Sequence, residues 1–404
     1  MNPIGYSRQW ILESDVDALQ RAARSEWLTA GPGVASFEVA FASAAGTAPA
    51  AVVSSGTAAL HLAVLALGAR PGRVGLVPAI TFAATANVFL YAGARPEFVD
   101  VDPSTGLMDL DAASAALRTA RSRGDPHPFV LPVHLAGLPV DMPRLWEWAG
   151  REGLTVIEDA CHAPGATYEA DTGRRFAVGA GPHSHAATFS FHPVKHLTTG
   201  EGGAVTSADP EVLRRVRLLR SHGIERESGR MESPSDGPWA YEVQDLGFNY
   251  RLPDLTCALG ESQCARLSEG LALRRRLAAR YGELFRQTGL SPEHVQLPAE
   301  PEGRTSAWHL YVIHLRGALA GRRSEVWAHL RSRGIGTQVH YVPLTRMPLY
   351  RRLLDAKAAS YPGAEAYYEG CLSIPLFPTL SEADQERVVE ALHEVRRAVP
   401  GADR

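Results

Sequence analysis

One lysine stands where few lysines do. The run Phe189–Val205, FSFHPVKHLTTGEGGAV, sets Lys195 between an apolar, strand-like stretch and a glycine-rich turn. An amine held in a partly dry pocket has a lowered pKa. It can then act as a base, or attack an aldehyde to form an imine. A second group fits the same chemistry. In Leu154–Ala160, LTVIEDA, an apolar run ends on Glu158 and Asp159. The run reads as a buried parallel strand. The carboxyl ends of such strands face the crevice where open α/β sheets bind ligands. A carboxylate there can hold a protonated ring nitrogen, although two acids in this place could equally cap the next helix. An imine-forming lysine with such an aspartate suits pyridoxal 5′-phosphate (PLP), whose aldehyde takes the amine and whose pyridine nitrogen takes the carboxylate.

Two further segments would have to position that cofactor. Val52–Gly68, VVSSGTAALHLAVLALG, reads as strand, small polar turn and helix. Backbone N–H groups and the dipole at the helix start attract a phosphate. Gly56 allows close approach, and Ser55 or Thr57 adds a hydroxyl. The turn has neither a GxGxxG nor a Gly-Lys-Ser/Thr pattern. Read alone it is equally a well-capped helix. In Val77–Val88, VPAITFAATANV, Phe82 follows a strand and could stack on a flat cofactor ring, or simply pack in a core.

The chain order is therefore phosphate turn, stacking aromatic, pyridine carboxylate, imine lysine. With WLTAGPGVASFE (27–38), VDVDPSTGLMD (99–109), PVHLAGLPVDM (132–142), IEDACHAPGA (157–166), RSHGI (220–224), DLGFNYRLPDL (245–255) and QVHYVPL (338–344), the sequence resembles the sugar aminotransferases of the DegT/DnrJ/StrS family. These are PLP enzymes of fold type I, related in architecture to aspartate aminotransferase, and the matching segments span nearly the whole chain. The resemblance implies an α/β fold with a largely parallel, seven-stranded type of sheet. It implies an internal aldimine on Lys195, which also moves the proton, with Asp159 on the pyridine nitrogen. It further implies His162 near the phenolic edge, Phe82 on the ring, and Ser55, Gly56, Thr57 and Ser190 around the phosphate. Asn249 would reach the phosphate from a neighbouring subunit, which implies a homodimer with shared active sites. Tyr6, Arg251, His340 and Tyr341 are candidate contacts to the sugar nucleotide.

One branch of the family replaces the lysine with histidine and dehydrates its substrate. Lys195 is retained here, with His192 and His196 only as neighbours, so amino transfer is expected. The implied reaction is ping-pong, from L-glutamate to a nucleotide-linked keto sugar. SFHPVKHLTTGEGG, RSHGI and QVHY most resemble enzymes that aminate C4 of UDP-linked 4-keto-6-deoxy-N-acetylhexosamines. Enzymes acting on dTDP- or GDP-linked sugars share much of the set. A PLP-dependent dehydratase or a non-catalytic PLP-binding regulator is the competing reading.

Composition agrees. The chain has 404 residues and a formal charge of −3, which excludes a global basic footprint for nucleic acid. Cys161, Cys257, Cys264 and Cys371 form no CxxC pair and no metal spacing, so no metal is expected; Cys257 and Cys264 read as core. MNPIGYSRQWILESD lacks a signal-peptide pattern, and no run of about 18 apolar residues suggests a membrane span. A cytoplasmic protein is expected. Strands are expected at Gly75–Val77, Glu97–Val101, Phe129–Val133, Thr155–Glu158 and Ala187–Phe191, and a helix start at Ser14-x-x-Asp17. A long helix, Asp254–Thr288, should leave a large PLP-binding domain (1–270) for a small C-terminal α/β domain (271–404). That domain should hold strands at Trp308–Leu315 and Thr337–Tyr341, and helices at Ser324–Arg333 and Ser381–Val399. The arginine-rich runs Arg214–Arg220 and Arg274–Arg280 read as solvated helix faces. Glu225–Pro238 reads as a mobile loop that could cover a sugar site.

Overall fold

The computed structural model describes residues 2–399 apart from 126, 234–235 and 354–359. Seven strands build the main sheet: β1 (Ala50–Val53), β2 (Val74–Pro78), β3 (Arg95–Val99), β4 (Phe129–Val130), β5 (Thr155–Asp159), β6 (Ala186–Ser190) and β7 (Gly203–Thr206). Their spatial order is β1-β7-β6-β5-β4-β2-β3. From β6 to β3 every neighbouring pair is parallel, while β7 runs antiparallel to both β6 and β1. The carboxyl ends of β1, β2, β5 and β6 therefore share one edge. Helices on both faces leave the strands no wet side, which is why AAVV in β1 is buried throughout.

The helices start where side chains satisfy their free N–H groups. Ser55 accepts from the Ala58 N–H at 3.0 Å and starts Gly56–Ala66. Asp109, Asp141, Asp209 and Ser381 do the same for Leu110–Ser122, Met142–Glu152, Pro210–Leu219 and Glu382–Arg397. A second, antiparallel sheet joins Val295–Gln296, Tyr311–Leu315 and Cys371–Ile374. Its apolar face packs with Tyr281, Phe285, Leu330, Val388 and Leu392 in a cluster that also takes in Ile4. Among the described residues, no helix is long and apolar enough to cross a membrane.

Several expectations are corrected. The first helix is Glu13–Ala23, and Asp15, rather than Ser14 or Asp17, accepts the Leu12 N–H at 2.9 Å. The expected strand Phe129–Val133 narrows to Phe129–Val130, because Pro132 has no N–H for the ladder. Asp254–Thr288 is two helices, Asp254–Cys264 and Leu267–Gln287, broken where Arg266 turns out of helical geometry toward Asp15. Thr337–Tyr341 is not a strand; only Gln338 bridges to Ser373. The strand expected from Trp308 begins at Tyr311, since Trp308 has a left-handed φ of 51°. Arg274 is not on a solvated face. It is 1% exposed and donates to the carbonyls of Trp308, His309 and Leu376. Within Glu225–Pro238, residues 234–235 lie outside the described residues. The rest carries the turn Ser228–Arg230 beside the paired segments Ile224–Glu225 and Glu242–Val243.

Candidate active site

The carboxyl edge of the main sheet opens into a cavity of about 680 Å³. Lys195 reaches it from the turn after β6, where buried Phe191 and Leu197 anchor both sides and the Lys195 N–H donates to the His192 carbonyl at 2.9 Å. Burial lowers the pKa of the Lys195 amine, opposed by nearby Cys161 and Asp159. Burial also drives the Cys161 thiol far above its usual value.

Strand alternation separates the two acids of LTVIEDA. Glu158 turns away from the cavity. It accepts from Ser184 Oγ at 2.5 Å and lies 2.9 Å from His134 Nε2, while His134 Nδ1 accepts the Val140 N–H. Asp159 points into the cavity and is 5% exposed. Thr85 Oγ1 donates to its Oδ2 at 2.8 Å, and the Cys161 N–H to its Oδ1 at 3.2 Å. Thr81 Oγ1 lies 2.8 Å from Thr85 Oγ1, so two buried hydroxyls stand behind the carboxylate. A carboxylate with two such donors still has acceptor capacity for a ligand N–H.

Gly56, Thr57 and Ser190 line the cavity where the helix Gly56–Ala66 points its N-terminus at β6. A Cβ on Gly56 would come within 2.8 Å of Ser190 Cβ, so the approach depends on glycine. The Ser55 hydroxyl lines the same cavity but already caps the helix. Phe82, at the start of the helix Ala83–Tyr91, lines the cavity and is 58% exposed. His162 is buried, and its Nδ1 has no hydrogen-bond partner. Burial pushes its pKa well down, helped by Lys195, His340 and His196. Tyr6, His340 and Tyr341 line the far wall. The rings of Tyr6 and His340 lie 5.7 Å apart, and the Tyr341 hydroxyl is 3.4 Å from His162 Nε2.

Two expected site residues are not brought into this cavity by a single chain. Asn249 is exposed, in a bridge with Ser221. Arg251 lines a separate cavity of about 330 Å³ with Glu38, Arg217 and Arg220. None of the described residues of Glu225–Pro238 lines the Lys195 cavity.

The chain matches the DegT/DnrJ/EryC1/StrS aminotransferase family over residues 10–393. It belongs to that family. Across 400 residues, 98% of this chain and 97% of the relative, it is 37% identical to the spore coat polysaccharide biosynthesis protein SpsC of Bacillus subtilis. Its structure is similar to that of Spr1654 of Streptococcus pneumoniae, a "putative sugar aminotransferase" (TM-score 0.85, 28% identity, 98% of each chain). Spr1654 has been solved in PLP and PMP forms as well. It is also similar to PseC of Helicobacter pylori, an aminotransferase of pseudoaminic acid biosynthesis (TM-score 0.84, 26% identity, 98% of this chain and 100% of that one). The architecture is thus that of the fold type I aminotransferases.

Sequence reasoning missed several groups of this aminotransferase's cavity. Thr81 precedes the helix Ala83–Tyr91 and Thr85 lies in its first turn, so no shared helical face announced the pair. His309, 2% exposed, carries no such signal, because a loop distant in sequence delivers it. Glu201 lies at the exposed rim.

Proposed function

We propose that the protein is a PLP-dependent sugar aminotransferase. It moves an amino group from L-glutamate to the keto carbon, at C4, of a UDP-linked 4-keto-6-deoxy-N-acetylhexosamine. The observation that carries this reading is one cavity that holds a desolvated amine, a buried carboxylate and a helix N-terminus that only glycine can line so closely. The donor set fits the cofactor, and the same wall carries His162, whose buried Nδ1 is unpartnered.

When bound, PLP supplies an aldehyde and an electron sink. Lys195 would hold it, Asp159 its ring nitrogen, Phe82 its face, and Gly56, Thr57 and Ser190 its phosphate. Lys195 Nζ, made less basic by burial, takes and returns a proton in each half-reaction. Thr85 and the Cys161 N–H keep the Asp159 carboxylate aimed into the cavity. Tyr6, His340 and Tyr341 face the space left for the sugar. Asn249, exposed here, acts on the site of a second copy, while Arg251 lies in a separate cavity.

The test is the absorbance spectrum of the purified protein with PLP. A yellow band that L-glutamate bleaches, and that a UDP-linked 4-keto sugar restores, is the expected result. No band after added PLP would overturn the cofactor reading. Restoration by dTDP- or GDP-linked sugars alone would overturn the nucleotide.

A further inference from the structure

We infer that His309 is a positioning residue for the cofactor site: its ring holds the plane of His162, and its loop registers the Lys195 segment against the Asp159 segment. The inference rests on the PLP reading above.

The His309 ring stands 4.3 Å from that of His162, with 36° between their planes, and 5.5 Å from that of His196. The Nδ1 atoms of all three rings lack a partner among the described residues. Buried imidazole nitrogens rarely go unpaired. The loop behind them is pinned at each step. Ser306 N–H donates to Glu300 Oε1 at 2.5 Å, Ala307 N–H to the Gly137 carbonyl at 3.0 Å and Trp308 N–H to Ser306 Oγ at 2.9 Å. His309 N–H donates to the Ala136 carbonyl at 2.9 Å, and Arg274 to the His309 carbonyl at 3.2 Å. Trp308 and Ala136 both have left-handed backbones, φ 51° and 59°. Non-glycine residues keep such angles only where their surroundings over-determine them.

The loop touches both halves of the site. His196 Nε2, on the residue after Lys195, lies 2.8 Å from the Ala307 carbonyl. His162, three residues past Asp159, packs against the tilted His309 ring. At the meeting point stands Gly137, with φ 97°. A Cβ there would lie 2.9 Å from the N atoms of Trp308 and His309, and 3.0 Å from the His162 carbonyl. Three segments meet with no side chain between them.

The groups that face the His309 ring are His162, His196, Lys195 and Arg274; His340 and Tyr341 press on His162 from the other side. Burial keeps these imidazoles neutral, reinforced by the surrounding cations. A neutral flat ring on His162 shuts water away from its Nδ1 and stops the ring turning. Nε2 then meets the Tyr341 hydroxyl, and Nδ1 stays buried and unpartnered.

Two variants separate plane from nitrogen. H309L keeps the volume without the plane, and H309F keeps the plane without the nitrogens; should H309L not fold, H309M also removes the plane. With selectively 15N-labelled histidine, the full chain before PLP is added should show one neutral tautomer for His162. H309L should give tautomer-averaged shifts, and H309F should not. With PLP added, the pH midpoint of the visible band should move by about half a unit or more in H309L. Its kcat should fall about tenfold or more with little change in the glutamate KM, while H309F should stay within about threefold of wild type. Unchanged His162 shifts and an unchanged midpoint in H309L would overturn the inference. So would H309F as impaired as H309L, since a nitrogen rather than the plane would then be acting. A wild-type chain with no visible band sinks the PLP reading alone, and the tautomer measurement still decides the role of His309.

Discussion

Burial leaves the Lys195 amine less basic than a surface lysine, although Cys161 and Asp159 pull the other way. At the working pH more of it is therefore the neutral base that proton transfer needs. Lys195→Ala should lower kcat by about three orders of magnitude or more, read as 2-oxoglutarate released from glutamate; a retained rate would mean another group moves the proton. Asp159 is the complementary case. Asp159→Asn keeps the shape and the Thr85 contact but removes the charge, so turnover should fall about a hundredfold with little loss of stability. A near-normal rate would show that another group holds the ring nitrogen. Phe82 is 58% exposed on the cavity wall, so Phe82→Ala tests whether it carries a cofactor ring.

The helix start at Gly56 shows how an element, rather than a residue, makes a subsite. β1 ends, Ser55 closes the cap, and the free N–H groups face Ser190 at the end of β6. Gly56→Ala would push a Cβ to within 2.8 Å of Ser190 Cβ. It should raise the PLP dissociation constant about tenfold, measured by titrating the apo protein, and leave the unfolding midpoint within a few degrees of wild type. An unchanged PLP affinity would remove this helix from the phosphate site. Elements of this kind were legible in the sequence because each is local: an apolar strand, a small turn, a helix pattern, and a chemical group at a fixed place. What escaped the sequence was non-local. Arg274 sits among apolar and basic neighbours as a surface arginine would, yet one of the carbonyls that receives it belongs to Leu376, 102 residues on. QVHY has strand-like composition, but only Gln338 finds a ladder partner. Trp308 breaks an apolar run because the loop around it, not its own preference, sets its backbone.

Over the whole molecule, several histidines are folded neutral. Burial pushes His314 and His340 down to about 4, with Arg316 and Lys195 adding to it. Their unfolded value is near 6.5. Between those values the unfolded chain binds more protons, so stability is complete above about pH 6.5 and falls as pH drops toward 4, by about 1.4 kcal/mol per unit for each group. The thermal midpoint should be lower at pH 5 than at pH 7.5, and His314→Gln should flatten that slope; an equal slope would place the acid sensitivity elsewhere. Trp239, Tyr241, Val243 and Leu246 are exposed apolar side chains in the segment leading to the exposed Asn249, as expected of a face that a second copy covers. If Asn249 serves the partner's cofactor, mixing inactive Lys195→Ala with impaired Asn249→Ala protein should restore activity, since one site of each mixed dimer is intact. No recovery after exchange would confine each site to one chain. The buried arginine has a consequence of another sort. Arg274 is caged by three carbonyls, and no carboxylate pairs with it among the described residues. Arg274→Ala would leave a vacant receptor for a planar cation, ringed with three loop carbonyls. Millimolar guanidinium, ordinarily a denaturant, should then act as a ligand and raise the melting temperature of the variant, while urea lowers it.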